Sequence, residues 1–174
     1  TVLEDFESTL PASALVEDLG TTVTVVPDPA TSGTNGNVLK VVTSAGAGSQ
    51  PYQNAQYFFQ NQGIDMSTTE KTLTIDVYSD VATDVLAKLE SGIGGASNSQ
   101  VDTSTPHTGS GWETLSFNFS NGVTQNGSSN PANGVYGKLI LFPLWGGDDF
   151  NAASETTTYY DNITGIAYTP PAQN

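Results

Sequence analysis

Apolar and polar residues alternate with a period of two along most of this chain. Val2-Leu3-Glu4-Asp5-Phe6-Glu7 opens on that rhythm, and Tyr159-Tyr160-Asp161-Asn162-Ile163 returns to it near the other end. Between them, residues 21–26, 37–43, 55–60, 71–79, 84–90 and 112–119 each read as a strand bounded by turn-rich stretches. In 84–90, Val85, Ala87 and Leu89 share one face, and Leu86, Lys88 and Glu90 the other. In 112–119, Trp112, Thr114, Ser116 and Asn118 oppose Glu113, Leu115, Phe117 and Phe119. Residues 138–145 form a longer apolar run, which predicts a central strand buried on both faces at one end. Residues 159–168 close the pattern.

The strands are separated by heavy punctuation: Pro27-Asp28-Pro29, Ser32-Gly33-Thr34-Asn35-Gly36, 92–95, 109–111, 121–133 and Gly146-Gly147-Asp148-Asp149. No segment holds helical periodicity for three turns; 65–70 predicts at most one helical turn, capped by Asp65. Roughly nine or ten short strands at this spacing predict an all-β domain, a two-sheet antiparallel β-sandwich of jelly-roll type. There is no internal repeat. If the first and last strands pair, carboxylate, amide and carbonyl oxygens from opposite ends of the chain meet at one place, and the natural guest of such hard ligands is Ca²⁺.

Composition narrows the function. At 174 residues with no cysteine, one domain can bury an ordinary core without disulfides, and thiol chemistry is excluded. Eighteen acidic residues face four lysines and no arginine, a formal charge of −14. Nucleic acid, anionic membrane and strongly anionic polymers are therefore poor partners, since the bidentate arginine that grips phosphate, sulfate or carboxylate is missing. No apolar run is long enough to cross a bilayer, so membrane insertion is not expected. Residues 1–168 read as the domain. Residues 169–174, Thr-Pro-Pro-Ala-Gln-Asn, read as the start of a proline-containing linker, as in a piece of a longer secreted chain.

Catalytic readings find little. A glycosidase needs two carboxylates facing each other across a cleft. Asp148, Asp149 and Asp76 are available, but adjacent residues diverge on a strand and no pair carries a recognisable spacing. A polysaccharide lyase wants a cation for the uronate and a Tyr or His base. A serine triad would have to use His107, the only histidine, and no serine elbow precedes a helix. The Gly92-Ile93-Gly94-Gly95 stretch is a turn and not a phosphate loop.

The stretches LEDFE, GWETLSFNFS and YYDNITGIAY, in that order, resemble non-catalytic carbohydrate-binding modules of the β-jelly-roll type. DPATSGTNGNVLK, SQPYQNAQYFF, IDMSTTEKTLTIDVYS and KLILFPLWGGDD add to the likeness, which covers nearly the whole chain. Such modules are appended to polysaccharide-degrading enzymes and surface glycan-binding proteins, especially of marine bacteria. The resemblance implies sugar binding without catalysis and a structural calcium ion. Carried over residue by residue, its ligands are the Asp5 carbonyl, Glu7, Asn37, the Lys40 carbonyl and Asp161. Asn37 stands where an acid is more usual, and Asp28 or Asn35 are alternatives for that position.

Sugars bind through aromatic rings under their C–H faces, with amides and carboxylates on their hydroxyls. Tyr52, flanked by Gln53 and Asn54, stands where similar modules often carry an aromatic. Trp145 ends a strand and reads equally as a platform or a core anchor. Tyr57 and Phe59 share one face of their strand, and one of its two faces is core. Lys88 and Glu90 point the same way and are offered to hydroxyls, or else form a surface ion pair. Trp112 reads as structural and His107 as part of an exposed loop. The expectation is a secreted or cell-surface, monomeric bacterial module holding a neutral polysaccharide for a covalently attached catalytic or surface domain. Laminarin-type β-1,3-glucan comes first, then other β-glucans, mannan, xylan and agarose. Alginate or sulfated galactans enter only if Lys88, Lys40 or a bridging cation neutralises them. The rivals are a non-binding structural or adhesive spacer and a catalytic jelly roll.

Overall fold

The computed structural model describes residues 1–30, 35–45, 52–60, 62–145 and 155–173. Among the described residues fourteen strands run in the order β1 (Val2–Glu4), β2 (Leu15–Asp18), β3 (Thr22–Pro27), β4 (Asn37–Thr43), β5 (Asn54–Phe58), β6 (Gly63–Asp65), β7 (Thr72–Ser79), β8 (Thr83–Glu90), β9 (Val101–His107), β10 (Gly111–Asn118), β11 (Val135–Tyr136), β12 (Lys138–Trp145), β13 (Thr156–Thr164) and β14 (Ala167–Tyr168). One sheet has the order β10-β7-β13-β4-β3, with β1 also pairing β13; the second has the order β2-β5-β12-β8-β9; β11-β6-β14 forms a small third sheet. Every strand pairing is antiparallel.

The alternation read from the sequence decides which side chains meet between the two large sheets. Leu39, Val41, Leu73, Ile75, Val77, Leu115, Phe117 and Tyr160 come from one sheet. Ala55, Tyr57, Val85, Ala87, Leu89, Val101, Leu139 and Leu141 come from the other, and all lie in one apolar cluster. As predicted, β12 is central, between β5 and β8, and its six inner residues are all buried. The two ends of the chain do pair, with Val2 opposite Thr164 and Glu4 opposite Ile163.

Three local expectations are corrected. Residues 65–70 form no helical turn; the Asp65 carboxylate accepts from the Ser67 amide at 2.9 Å and its hydroxyl at 2.6 Å, a local turn that competes with helix. Strand β9 escaped the pattern because it is polar and carries Pro106, both tolerated on the edge of a sheet. His107 is not in an exposed loop. It ends β9 and is buried, with the Gly109 amide donating to Nδ1 at 2.9 Å and Nε2 3.0 Å from the Val77 carbonyl. Nε2 faces a carbonyl and so donates, while Nδ1 also lies 3.0 Å from Glu113 Oε2.

Tyr160 fills the middle of the core, fully buried, yet its hydroxyl has no hydrogen-bond partner. Burial alone drives that phenol's pKa upward, because nothing compensates the lost water. Tyr160→Phe keeps the ring and removes the orphaned group, so it should stabilise the protein by roughly 1–3 kcal/mol. Urea unfolding checks this; a lower midpoint for the variant would refute it.

Candidate functional site

The outer face of the five-stranded sheet carries what its buried face does not. On β12, Ile140 and Phe142 alternate with the core residues Leu139 and Leu141. With Leu86 of β8 they form a second apolar cluster, against which Trp145 packs. From β5 come Asn54 and Gln56, and from β8 Lys88 and Glu90. Asp102 of β9 faces the same way. Asp18, the last residue of β2, and Leu19 after it border this surface, Tyr52 enters just before β5, and Gln125 and Asn126 border it from the loop after β10. Together they line a groove of about 700 Å³.

Rings and polar groups divide the groove. Tyr52, half exposed at 52 %, lies 6.0 Å from the Trp145 ring centroid at an interplanar angle of 47°. Phe142 buttresses Trp145 edge-on at 5.2 Å. The amides form a relay. Asn54 donates from Nδ2 to Asp18 Oδ2 at 3.1 Å and to the Tyr52 carbonyl at 2.8 Å, and Gln56 donates to Asn54 Oδ1 at 3.2 Å. The relay orients Asn54 and pins the backbone that carries Tyr52.

Both cations on this face are already engaged. Lys88 lies 3.9 Å from Asp102 and over the Phe142 ring at 5.3 Å. Lys138 lies 3.6 Å from Glu90 and over the Phe58 ring at 5.2 Å. At 3.9 Å the first pair attracts through space without a hydrogen bond, so the buried Asp102 Oδ1 has no hydrogen-bond partner. Burial raises the Asp102 pKa, Lys88 opposes the shift and Glu90 adds to it. A buried acceptor with an open lone pair is suited to an incoming hydroxyl.

Of the residues expected at the site, Tyr52, Asn54, Lys88, Glu90 and Trp145 are brought together. Two are not. Tyr57 points the opposite way into the core, where its hydroxyl is bonded to Glu4. Gln53, one residue out of phase with Asn54, is buried and ties the loop to Ser44, accepting from its amide at 2.7 Å and donating to its carbonyl at 3.0 Å. Sequence reasoning missed Gln56, though its two-residue spacing from Asn54 could have found it. It also missed Asp18, Asp102 and Gln125, which only the pairing of distant segments brings near. Asp148, Asp149, Ser32 and Pro51 lie outside the described residues.

The expected calcium ligands gather in part where the ends pair. Register slips by one residue in β13 between Asp161 and Thr164, with Asn162 in the left-handed region at φ 46°. This bulge lets Ile163 turn back to the core while Asp161 stays beside Asp76. Asn162 Nδ2 bridges the two, at 2.9 Å from Asp76 Oδ2 and 3.2 Å from Asp161 Oδ2. Glu7 Oε1 accepts from the Asn37 amide at 2.8 Å. Gly36 takes φ 60°, where a side chain is strained, and a Cβ there would lie 2.0 Å from Glu7 Oε1 and displace that carboxylate.

Burial pushes Asp161 up to about 7, with Asp76, Glu7 and Asp5 adding repulsion against the Asn162 amide's opposing pull. Lys40 lies three residues along β4 from Asn37, opposite Thr24 and Tyr159. Asp76, reached through the Asn162 amide, stands beside Asp161 as a further carboxylate. Among the described residues no three acidic or histidine side chains alone form a metal cage. A cation here would draw its remaining oxygens from carbonyls and amides, which suits calcium.

No protein-family model matches the chain, and no curated protein does. Solved structures do, an exo-β-agarase and several carbohydrate-binding modules among them, and the chain has the β-sandwich fold of those modules, as the sequence resemblance implied. The family 11 module of a cellulosomal cellulase of Clostridium thermocellum is 18% identical, with TM-score 0.56, over 100% of this chain and 96% of that one. A family 11 module from the same organism, solved in complex with a β-1,3-1,4-mixed-linked tetrasaccharide, is 17% identical, with TM-score 0.55, over 96% and 93%. A family 30 module is 11% identical, with TM-score 0.58, over 97% and 98%.

The raised Asp102 carries a pH signature. A carboxyl whose pKa is higher folded than unfolded contributes stability in full below its unfolded value, and that contribution is lost as pH rises through the folded value. Asp102→Asn should therefore shrink the loss of stability between about pH 4 and about pH 7. Urea unfolding at the two pH values checks it; an unchanged or steeper loss in the variant would count against the assignment.

Proposed function

We propose that this protein is a non-catalytic module that binds a neutral polysaccharide in the groove over β5, β12 and β8. The observation that carries the reading is the Tyr52–Trp145 ring pair beside a floor of oriented amides and carboxylates. Rings take the C–H faces of pyranoses, and the amides and Asp102 take their hydroxyls. Lys88 and Lys138 are each matched to a carboxylate, so no free cation on the floor favours a uronate or sulfate. Each groove carboxylate likewise has a partner in Lys88, Lys138 or Asn54, which favours a positioning role over acid–base chemistry.

A β-glucan is the first ligand class. Its support is the ligand of the family 11 module and the tilt between the two rings, which suits a chain whose successive sugars turn. Laminarin-type β-1,3-glucan is the specific candidate, and mannan, xylan and agarose follow. The module would be secreted or displayed at a bacterial cell surface, acting as a monomer within a longer chain. There it would raise the local concentration of substrate for an attached catalytic or surface domain. Affinity electrophoresis against neutral and anionic polysaccharides tests the reading. A neutral β-glucan should retard the protein, and Tyr52→Ala or Trp145→Ala should weaken binding roughly tenfold or more. Retardation by polyanions alone, or release of reducing ends from a glycan, would overturn it.

Calcium is the proposed structural cofactor, held by Glu7, Asp161 and Asn37 with the Asp5 carbonyl. It would supply only charge compensation and oxygen coordination between the chain's two ends. At one hundred times its Kd it would add about 2.7 kcal/mol of stability. Calcium should raise the melting temperature of chelator-treated protein, and Glu7→Gln should remove most of that rise. Identical melts with and without calcium would dismiss the cofactor.

A further inference from the structure

The outer face of the six-stranded sheet, on the side of the sandwich away from the groove, carries a second alignment of rings. Trp112 on β10 is directly opposite Tyr78 on β7, and Tyr78 is opposite Tyr159 on β13. The three form one cross-strand row. Trp112 and Tyr78 have centroids 5.6 Å apart, and Tyr78 and Tyr159 5.7 Å. Each is partly solvent-exposed. The row continues across the sheet through Lys40 to Thr24. Polar groups flank the rings. Thr114, two residues along β10 from Trp112, donates to Asp76 at 2.5 Å, and the neighbouring Asp80 charge raises the Tyr78 pKa.

The core does not require these rings. Their strands already bury Leu115 and Phe117, Ile75 and Val77, and Tyr160 on the other face. Alternation alone would accept threonine or serine at all three outward positions, as it does at Thr74 and Ser116. Three aromatics in register, on a sheet whose outer face is otherwise mostly polar, form an amphipathic strip like the one in the groove. Its Asp76 and Asp80 make it unattractive to anions, and its ring faces with neighbouring hydroxyls match an uncharged sugar.

We propose that this row is a second saccharide-binding surface, taking one face of an uncharged pyranose chain on the side of the sandwich opposite the groove. It rests on the reading of the protein as a glycan binder. It adds that one module engages two chains, or two stretches of one, so that binding to a polymer gains by avidity. The edge-on packing of neighbouring rings, at 70° and 73°, offers edges as well as faces. This is a weaker and less selective surface than the groove.

The chain holds two tryptophans, one on each face, so each surface has its own fluorescent reporter. Trp145→Phe leaves Trp112 alone, and Trp112→Phe leaves Trp145 alone. The Nε1–H of Trp112 has no partner to lose. Each single-tryptophan protein is titrated with β-1,3-, mixed-linkage and β-1,4-linked gluco-oligosaccharides and with agaro-oligosaccharides. The proposal expects a saturable change in Trp112 emission with at least one of them. Tyr159→Ala should weaken that response roughly tenfold, while Tyr52→Ala leaves it in place. If Tyr159→Ala does not fold, Tyr159→Ser or Lys40→Ala in the same background reads the same end of the row.

A silent Trp112 with every sugar overturns the proposal. So does a Trp112 response that survives Tyr159→Ala but vanishes with Tyr52→Ala, since it would be transmitted from the groove. A responding Trp112 beside a silent Trp145 would instead overturn the groove reading and leave the second surface standing.

Discussion

Everything in this molecule follows from one geometric constraint: a strand that buries a residue between two sheets must turn the next one outward. Because Leu139 and Leu141 fill the sandwich, Ile140 and Phe142 cannot, and they become the apolar floor of a groove. Because Ala55 and Tyr57 face inward, Asn54 and Gln56 face the groove and present amides. Core and groove are thus the two phases of one period, and a one-residue slip in β5 or β12 would exchange them. That coupling pins the positions of the groove side chains to the core beneath them.

Charge on the groove face is arranged to cancel. The four lysines of a chain with net charge −14 are scarce, and two of them are spent opposite Asp102 and Glu90 while lying over phenylalanine rings. Such pairs are worth little to stability where water reaches them. Under the proposed function their consequence is for recognition: among the described residues the floor offers no spare cation to an anionic sugar. On the reading proposed, the same arrangement leaves hydroxyl-accepting oxygens, Asp102 above all, ready for a neutral one.

Strand β13 joins the two ends of the chain. It pairs with β1, β4 and β7, and its bulge at Asn162 collects carboxylates that repel one another around a buried Asp161. Like charges close together in a site shielded from water are costly, and a cation that draws on Glu7 as well would convert this local repulsion into a clasp between the first and last strands. The same strand turns Tyr160 into the core and Tyr159 outward, so one element serves the core, the termini and the second aromatic row.

The fold class, most strands, the inward faces of β8 and β10, the central place of β12 and the pairing of the termini were legible in the chain, because period-two alternation and turn residues are local signals that burial then enforces. Strand β9 was not, since an edge strand needs little apolar character and tolerates Pro106. Tyr52, Asn54 and Trp145 could be picked out as binding candidates, yet Tyr57 could not be separated from them: alternation defines two faces without saying which one meets the opposite sheet. His107 was misread for a related reason, its polar surroundings in sequence being replaced in space by the Val77 carbonyl and Gly109. By itself, then, the sequence determined a two-layer β-sandwich, its charge and its stock of rings and amides. Only the tertiary structure decided which rings stand together, which lysines are neutralised and which carboxylates converge. Those depend on register between strands far apart in the chain, and register is set by the packing of the whole core.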